Sequence, residues 1–305
     1  MITPAISIIT PTFNREKFIL EAVKSVQMQD VPADILEHII MDGGSTDNTL
    51  GVLKEILSLR VYSEKDKGLY DAINKGIILA RGDIIGHLNS DDLYEPGILK
   101  AVKRAFDEHP EMDGLCGKAL VFRSGAPIQY FEAVQPAELL ARATLGTPII
   151  NAWFFRKRFY EKHGMYDLRY PMAADRDLLI RLALADVKYL PIDLAVYRYR
   201  HHEGSLTIND HRKPWMRNLQ DEFLNMSEYY LSAYPDDPGL TRLFRRWHDV
   251  AGLEKVIATA RVQDWSGAAS AIRQARSVNR LWFFYALRVM PGKIMFSLKR
   301  RLNQR

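Results

Sequence analysis

Asn89-Ser90-Asp91-Asp92 follows the apolar run Ile84–Leu88 directly. Adjacent carboxylates with an amide beside them, at the end of a strand, suit a hard divalent cation such as Mg2+ or Mn2+. A purely structural use competes: Asp92 could cap the helix that runs on through Pro96. Three more polar stretches follow apolar runs in the same way. They are Pro11-Thr12-Phe13-Asn14-Arg15 after Ile6–Ile9, Asp42-Gly43-Gly44-Ser45-Thr46-Asp47 after His38–Met41, and Glu64-Lys65-Asp66-Lys67-Gly68 after Val61–Ser63. One such stretch is ordinary turn chemistry. Four on one rim indicate a site, because that many anions repel unless they hold a cation or a donor-rich ligand.

The elements that must put them on one rim are legible as periodicity. Ile6–Ile9, His38–Met41, Val61–Ser63 and Asp83–Leu88 read as short strands. Between them, Arg15–Gln29, Thr49–Leu59 and Tyr70–Ala80 carry apolar residues at helical spacing, and Ile98–Glu108 follows as a fourth helix. Strict alternation of strand and helix predicts a mostly parallel sheet with helices on both faces. Ligands bind such sheets at the carboxyl ends of the strands, where these four loops lie. Residues 115–155 lose the rhythm and predict an antiparallel appendage. Asp175–Ala185 reads as helix and Lys188–Arg200 as strand. From Lys213 onward the pattern is helical, broken at Tyr234–Gly239 and at Pro291-Gly292. The expected organisation is a catalytic domain over 1–210 and a helical region over 211–305.

Composition excludes several classes. At 305 residues, 47% hydrophobic and 26% charged, the chain can bury a core without staples. Its one cysteine, Cys116, cannot form an internal disulfide, which points to a reducing compartment. The net charge of +5 comes from the end: residues 279–305 hold seven basic and no acidic residues, leaving 35 basic against 37 acidic upstream. A near-neutral body argues against a nucleic-acid-binding face. No apolar run is long enough to span a bilayer, and no signal peptide is expected at the N-terminus. A glycine-rich dinucleotide fingerprint after the first strand and a P-loop are both missing from the sequence.

The blocks Ile6–Arg15, Asp42–Asp47 and Asn89–Asp92 together resemble the inverting family 2 glycosyltransferases of the GT-A fold. Ser63-Glu64-Lys65-Asp66-Lys67-Gly68-Leu69-Tyr70-Asp71-Ala72-Ile73-Asn74-Lys75-Gly76 resembles a block of bacterial members that build surface polysaccharides and glycolipids. The resemblance covers about residues 5–205. It implies a Rossmann-like, mostly parallel α/β sheet flanked by helices, with a helical C-terminal extension. It also implies an inverting hexosyltransferase-type enzyme that uses Mg2+ or Mn2+ and a UDP-, GDP- or dTDP-sugar donor. By position, Asp42 would bind the nucleobase edge, with Pro11, Thr12 and Asn14 lining base and ribose. Asp91 and Asp92 would hold metal and ribose, with Asp92 favoured as the direct ligand. Asp66, Lys67, Asp71, Asn74 and Lys75 would lie near sugar and diphosphate. Asp71, Asn74 and Lys75 share one helix face by spacing, which also suits a solvated face.

Ala173-Ala174-Asp175-Arg176-Asp177 resembles the element whose Asp is the family's catalytic base, although Ala174 stands where Glu is common. Asp175 fits the base position, Asp177 is its rival, and a helix cap is the competing use of Asp175. Tyr197–Ser205 resembles a segment that closes the site, and His202 is the candidate to reach metal or diphosphate, against a plain surface imidazole. In the mechanism so implied, the acceptor hydroxyl loses a proton to Asp175 as it attacks, and one displacement inverts the sugar.

The aromatic run Leu281–Leu287 precedes Arg288, Lys293, Lys299, Arg300 and Arg301 and suits an interfacial helix on an anionic membrane. Packing on the helical region is the competing use of those aromatics. The expected setting is cytoplasmic, peripheral on the inner face of the cell membrane, with a glycan or lipid-linked acceptor and no nucleic-acid partner. Two other classes remain: a sugar-nucleotide pyrophosphorylase, which would carry a Gly-rich, Arg-bearing loop after the first strand, and a non-catalytic glycan-binding module.

Overall fold

In the computed structural model, the described residues are 4–147, 149–202 and 214–288. Cα packing divides the chain into two units, Met1–Ile208 and Asn209–Arg305.

The first unit opens with β1 (Ile6–Thr12), α1 (Ile19–Gln27), β2 (Leu36–Asp42), α2 (Thr49–Leu53), β3 (Leu59–Ser63), α3 (Leu69–Leu79) and β4 (Ile84–His87). Every residue of β1 is buried, so its apolar run is that of a strand covered on both faces. The strand does not stop at Ile9, as the sequence suggests, but runs on to Thr12. It pairs in parallel with β2 through Thr12, in register with Asp42, and Gly43 N–H donates to the Thr12 carbonyl at 2.9 Å. Ile19, Ala22, Val23 and Val26 turn inward from α1, as their spacing predicts. That helix starts at Ile19 rather than Arg15, because Asn14 takes a left-handed φ of 52° and the chain turns through 15–18 first.

Then come β5 (Leu93–Tyr94), α4 (Ile98–Glu108), β6 (Gly114–Arg123), β7 (Ala126–Phe131), α5 (Leu139–Leu145), β8 (Trp153–Arg156), α6 (Lys157–His163), α7 (Ala174–Leu184) and β9 (Tyr189–Arg200). The strands form one sheet in the order β3-β2-β1-β4-β8-β6-β9-β5, with β7 paired to β6. The run β3-β2-β1-β4 is parallel throughout. Only the β6–β7 hairpin behaves as the antiparallel appendage expected over 115–155. β8 instead inserts between β4 and β6, because Trp153, Phe154 and Phe155 are apolar enough to be buried at the sheet centre. Gly86 makes room for it: a Cβ there would lie 2.5 Å from the Phe154 ring. Phe154 joins Ile6, Ile8, Leu99, Val102 and Phe106 in the core on one side, and Ile19, Val23, Ile40 and Leu53 fill a smaller core.

The second unit consists of α8 (Pro214–Ala233), α9 (Pro238–Arg261), α10 (Trp265–Val278) and a helical stretch at 282–288. The break falls at 234–237, within the Tyr234–Gly239 stretch the sequence predicts, with the N-cap Asp237 accepting from the N–H groups of Gly239 (2.8 Å) and Leu240 (3.0 Å). A second break, at Val262–Asp264, was not expected. There Asp264 caps α10 through Gly267 N–H at 2.9 Å. No helix among the described residues is long and apolar enough to cross a membrane.

Candidate functional site

Parallel pairing aligns Thr12, Asp42 and Ser63 in one row at the carboxyl ends of β1, β2 and β3. The buried Asp42 carboxylate accepts from Ser63 Oγ at 2.6 Å, Ser45 N–H at 3.1 Å and Gly44 N–H at 3.2 Å. Asn14 laces the first loop to the second: its Oδ1 accepts from Thr46 N–H, and its own N–H donates to Ser45 Oγ, both at 2.8 Å. Asn is among the few residues that hold a left-handed φ at little cost. Pro11 is buried within β1. Thr12 Oγ1 is buried and has no hydrogen-bond partner among the described residues. An unpaired buried hydroxyl is costly and marks a position where a ligand can supply the partner.

The loop after β3 folds back on this row. Asp66 lies so close to Gly43 that a Cβ at Gly43 would meet its Oδ2 at 2.5 Å, so any larger residue there would push the Asp66 carboxylate aside. Asp66 Oδ1 accepts from Gly68 N–H at 2.8 Å, and Asp71 Oδ2 from Lys67 N–H at 2.9 Å, leaving the Lys67 side chain exposed. Lys75 pairs with Glu64 at 2.7 Å and Asp71 at 3.4 Å, which raises its pKa. Asn74 does not join them. It is buried, its Nδ2 donates to the Tyr166 carbonyl at 2.8 Å, and its Oδ1 accepts from Tyr166 N–H at 3.0 Å. The shared helix face expected for Asp71, Asn74 and Lys75 therefore holds only two of them.

Asp91 and Asp92 differ sharply. Asp92 is 1% exposed, and both its oxygens are engaged: Tyr197 Oη donates at 2.5 Å, Arg200 N–H at 2.7 Å and Asn89 Nδ2 at 3.2 Å. Burial and the adjacent Asp91 charge push its carboxyl pKa well up, against those three hydrogen bonds. It caps no helix, since α4 begins at Ile98 after Gly97. Asp91 faces outward to Arg15 Nε at 3.4 Å and His202 Nε2 at 3.1 Å, and the His202 ring packs on Phe18 with centroids 4.6 Å apart. A gap of about 3 Å separates neighbouring ligands on an octahedral ion with bonds of about 2.1 Å, so Asp91 and His202 fit a divalent cation. Among the described residues no group of three His, Cys, Asp or Glu forms a cage. Two protein ligands suit Mg2+ or Mn2+, which take substrate phosphates and waters as the rest. Asp92 is buried with both oxygens hydrogen-bonded, whereas Asp91 is the carboxylate that faces outward.

Asp175 lies in the first turn of α7, whose N-cap position is Ala173 with no side-chain cap. The capping use is thus not realised. Its half-buried carboxylate accepts from Arg176 N–H at 2.8 Å. Burial raises its pKa, and the Arg176 charge and hydrogen bonding oppose the rise without cancelling it. Asp177 is buried and pairs with Arg181 at 2.8 Å, while Arg181 also binds the carbonyls of His163 at 2.6 Å and Met165 at 2.7 Å. That pairing ties the α6–α7 connection together.

The contacts thus chain Asp66, Asp42, Asn14, Arg15, Asp91 and His202 along one edge. Arg15, Tyr197 and Arg200 received no individual role from the sequence, although the last two belong to the segment expected to close the site. The Tyr197-Arg198-Tyr199-Arg200 alternation in a strand was the available signal for two of them. Of the Tyr197–Ser205 segment expected to close the site, Glu203, Gly204 and Ser205 lie outside the described residues.

Residues 7–163 match the family model described as glycosyl transferase family 2. A PGL/p-HBAD biosynthesis glycosyltransferase of Mycobacterium bovis (strain BCG / Pasteur 1173P2) is 32% identical over 191 residues, 59% of this chain and 70% of its own length. Among solved structures, S. aureus TarS in complex with UDP-GlcNAc matches with a TM-score of 0.56 at 20% identity, over 89% of this chain and 91% of that one. The mannosyltransferase PcManGT from Pyrobaculum calidifontis, in complex with GDP-Man and Mn2+, matches with a TM-score of 0.58 at 17% identity, over 98% and 82%. At these identities the two structures speak for the GT-A-type fold.

Proposed function

This chain belongs to glycosyl transferase family 2, and on that premise we propose that it transfers a sugar, with inversion, from a nucleotide-sugar donor to a hydroxyl of a glycan or lipid-linked acceptor in cell-surface polysaccharide or glycolipid synthesis. The observation that supports this reading is the contact chain that runs from Asp42 through Ser45, Asn14 and Arg15 to Asp91 and His202. Catalysis is assigned to residues 1–210.

Asp42, an acceptor-only carboxylate held by Ser45 and Ser63, takes N–H donors from the nucleobase. Thr12 Oγ1, Asn14 and Pro11 line base and ribose. Asp91 and His202 hold Mg2+ or Mn2+, which when bound supplies positive charge for the departing nucleoside diphosphate. Asp92 fixes the loop by locking β9 to it. Asp66, Lys67, Asp71 and Lys75 border the diphosphate and sugar, with Lys75 available as a counter-charge. Asp175 accepts the proton of the attacking hydroxyl, and its raised pKa makes it the stronger base. A single displacement from the opposite face needs no covalent intermediate. The donor is a UDP-, GDP- or dTDP-sugar, as the UDP-GlcNAc and GDP-Man bound to the two structural neighbours support.

A panel of UDP-, GDP- and dTDP-sugars incubated with Mn2+ tests the reading. Slow release of the diphosphate from donors of one base class, stopped by chelator, is the expected outcome. Dependence on added pyrophosphate would convert the assignment to a pyrophosphorylase. Release from none would leave a binding module.

The partner surface lies at the chain's end. Trp282 and Ala286 are buried against Leu253 and Ala275, so packing claims part of the aromatic run. Phe284 (66% exposed), Leu281, Phe283, Tyr285 and Leu287 stay exposed between Arg280 and Arg288. Lys293, Lys299, Arg300 and Arg301 lie outside the described residues. Aromatics flanked by cations suit an anionic bilayer surface, which would put the enzyme at the inner face of the cell membrane beside a lipid-linked acceptor. The full chain should co-float with anionic vesicles, and Phe283→Ser with Phe284→Ser should release it. Equal flotation of both would reject the surface.

A further inference from the structure

We propose that Arg176 is a positioning residue for transfer: its guanidinium ties the last turn of α5 to the first turn of α7 and so fixes where the Asp175 carboxylate stands. The inference rests on Asp175 being the base.

A helix ends on carbonyls that find no partner within it. In α5 these include the carbonyls of Ala143 and Thr144. Gly146 leaves the helix with a φ of −103°, not the left-handed turn that would pair them. Arg176 supplies the partner from α7. Its Nη1 donates to the Ala143 carbonyl and, at 2.6 Å, to that of Thr144, and its Nη2 donates to the Gly146 carbonyl at 2.9 Å. A cation at a helix C-terminus also suits the helix dipole. The planar fork of an arginine makes such bonds directional. α7 itself starts after Ala173, which offers no side-chain cap, so the fork seats a turn that its own sequence leaves loose. Further along α7, Arg181 grips the carbonyls of His163 and Met165. Two arginines thus fasten the helix that carries Asp175.

Asp175 precedes the clamp directly in the chain, and Arg176 N–H donates to its Oδ1 at 2.8 Å. The backbone that bears the carboxylate and the N–H that orients it are therefore both set by where the guanidinium anchors. The anchor is tied to the carboxylate loop in turn. Asn151, shortly after Gly146, donates through Nδ2 to Tyr197 Oη at 3.0 Å, and Tyr197 Oη donates to Asp92 at 2.5 Å. Misplacing a reacting group by about 1 Å costs about 10²-fold in rate. The second consequence is a titration. The groups acting on Asp175 are Arg176 from α7, Tyr70 from α3 and Tyr166 from the α6–α7 connection. Burial raises its pKa, and the Arg176 charge is the largest influence that lowers it. Without that charge the pKa climbs further, so the base becomes ionised only at higher pH.

Arg176→Gln removes the charge and the fork, and Arg176→Lys keeps the charge but loses the fork. Turnover is followed as diphosphate released with Mn2+ from UDP-GlcNAc or GDP-Man, whichever the wild-type enzyme uses. In Arg176→Gln the expected result is a fall in kcat of about 10–100-fold, an unchanged donor KM, and an acid limb of the pH profile moved to higher pH. Arg176→Lys should recover part of kcat and return the acid limb to its wild-type place. Calorimetric binding of UDP or GDP with Mn2+ stays at the wild-type value in both, which certifies the fold. Asp175→Asn with Arg176→Gln turns over no more slowly than Asp175→Asn alone, because Arg176 acts through Asp175. A wild-type kcat and acid limb in Arg176→Gln, with Asp175→Asn inactive, overturns the positioning role alone. Loss of kcat and nucleotide binding together in both Arg176 variants, with the limb unmoved, reduces Arg176 to packing and also overturns it. An active Asp175→Asn removes the base assignment and this inference with it.

Discussion

Asp175→Asn is expected to slow sugar transfer by about 10²–10⁴-fold while leaving nucleotide affinity intact. The amide keeps the size of the side chain and can still accept from Arg176 N–H. It cannot accept a proton from an attacking hydroxyl. The nucleotide row of Thr12, Asp42 and Ser63 is built by different strands, so binding has no reason to change. The same logic sets the pH profile. Asp175 works only when ionised, and burial raises its pKa. Wild-type kcat should therefore rise with pH through the Asp175 pKa, and Asp175→Asn should lose that limb. Asp177→Asn makes the contrast. It breaks the pair with Arg181 that ties down the His163 and Met165 carbonyls, so it should lower Tm more than kcat. A fast Asp175→Asn enzyme, or a slow but fully stable Asp177→Asn enzyme, would exchange the two assignments.

The second large effect separates the adjacent carboxylates. Asp91→Asn should abolish most of the gain in UDP or GDP affinity that Mn2+ confers, by at least about 100-fold, since even residues that merely support a ligand change metal affinity 10–100-fold. Asp92→Asn should act mainly on stability. Its new N–H2 would face a backbone N–H of Arg200 or the hydroxyl of Tyr197, and a buried donor facing a donor costs about 1–3 kcal/mol. Thermal unfolding should show the loss, and calorimetry with and without Mn2+ should show the metal response retained. The opposite pattern, a stable Asp92→Asn protein blind to Mn2+, would restore Asp92 as the direct ligand.

The sequence alone cannot rank this pair. Asp91 and Asp92 are chemically identical and adjacent, and nothing local ranks them. Tyr197 and Arg200 rank them, and these reach Asp92 only because β9 pairs with β5 beside it. Asn74 shows the same limit. Its spacing with Asp71 and Lys75 is helical, but its amide is claimed by Tyr166, 92 residues away. The aromatic run near the end splits for the same reason, with Trp282 taken by the helical unit and Phe284 left outside.

By itself the chain's text determined the parallel β1–β4 half-sheet, the four polar loops at its carboxyl edge and the family, because strand and helix periods, turn residues and motif order are local properties. Only the tertiary structure decided which carboxylate faces outward, which amide turns inward and that β8 enters the sheet. Those outcomes follow from partners brought together across long separations, where burial and hydrogen-bond satisfaction, absent from any local window, select among side chains of the same type.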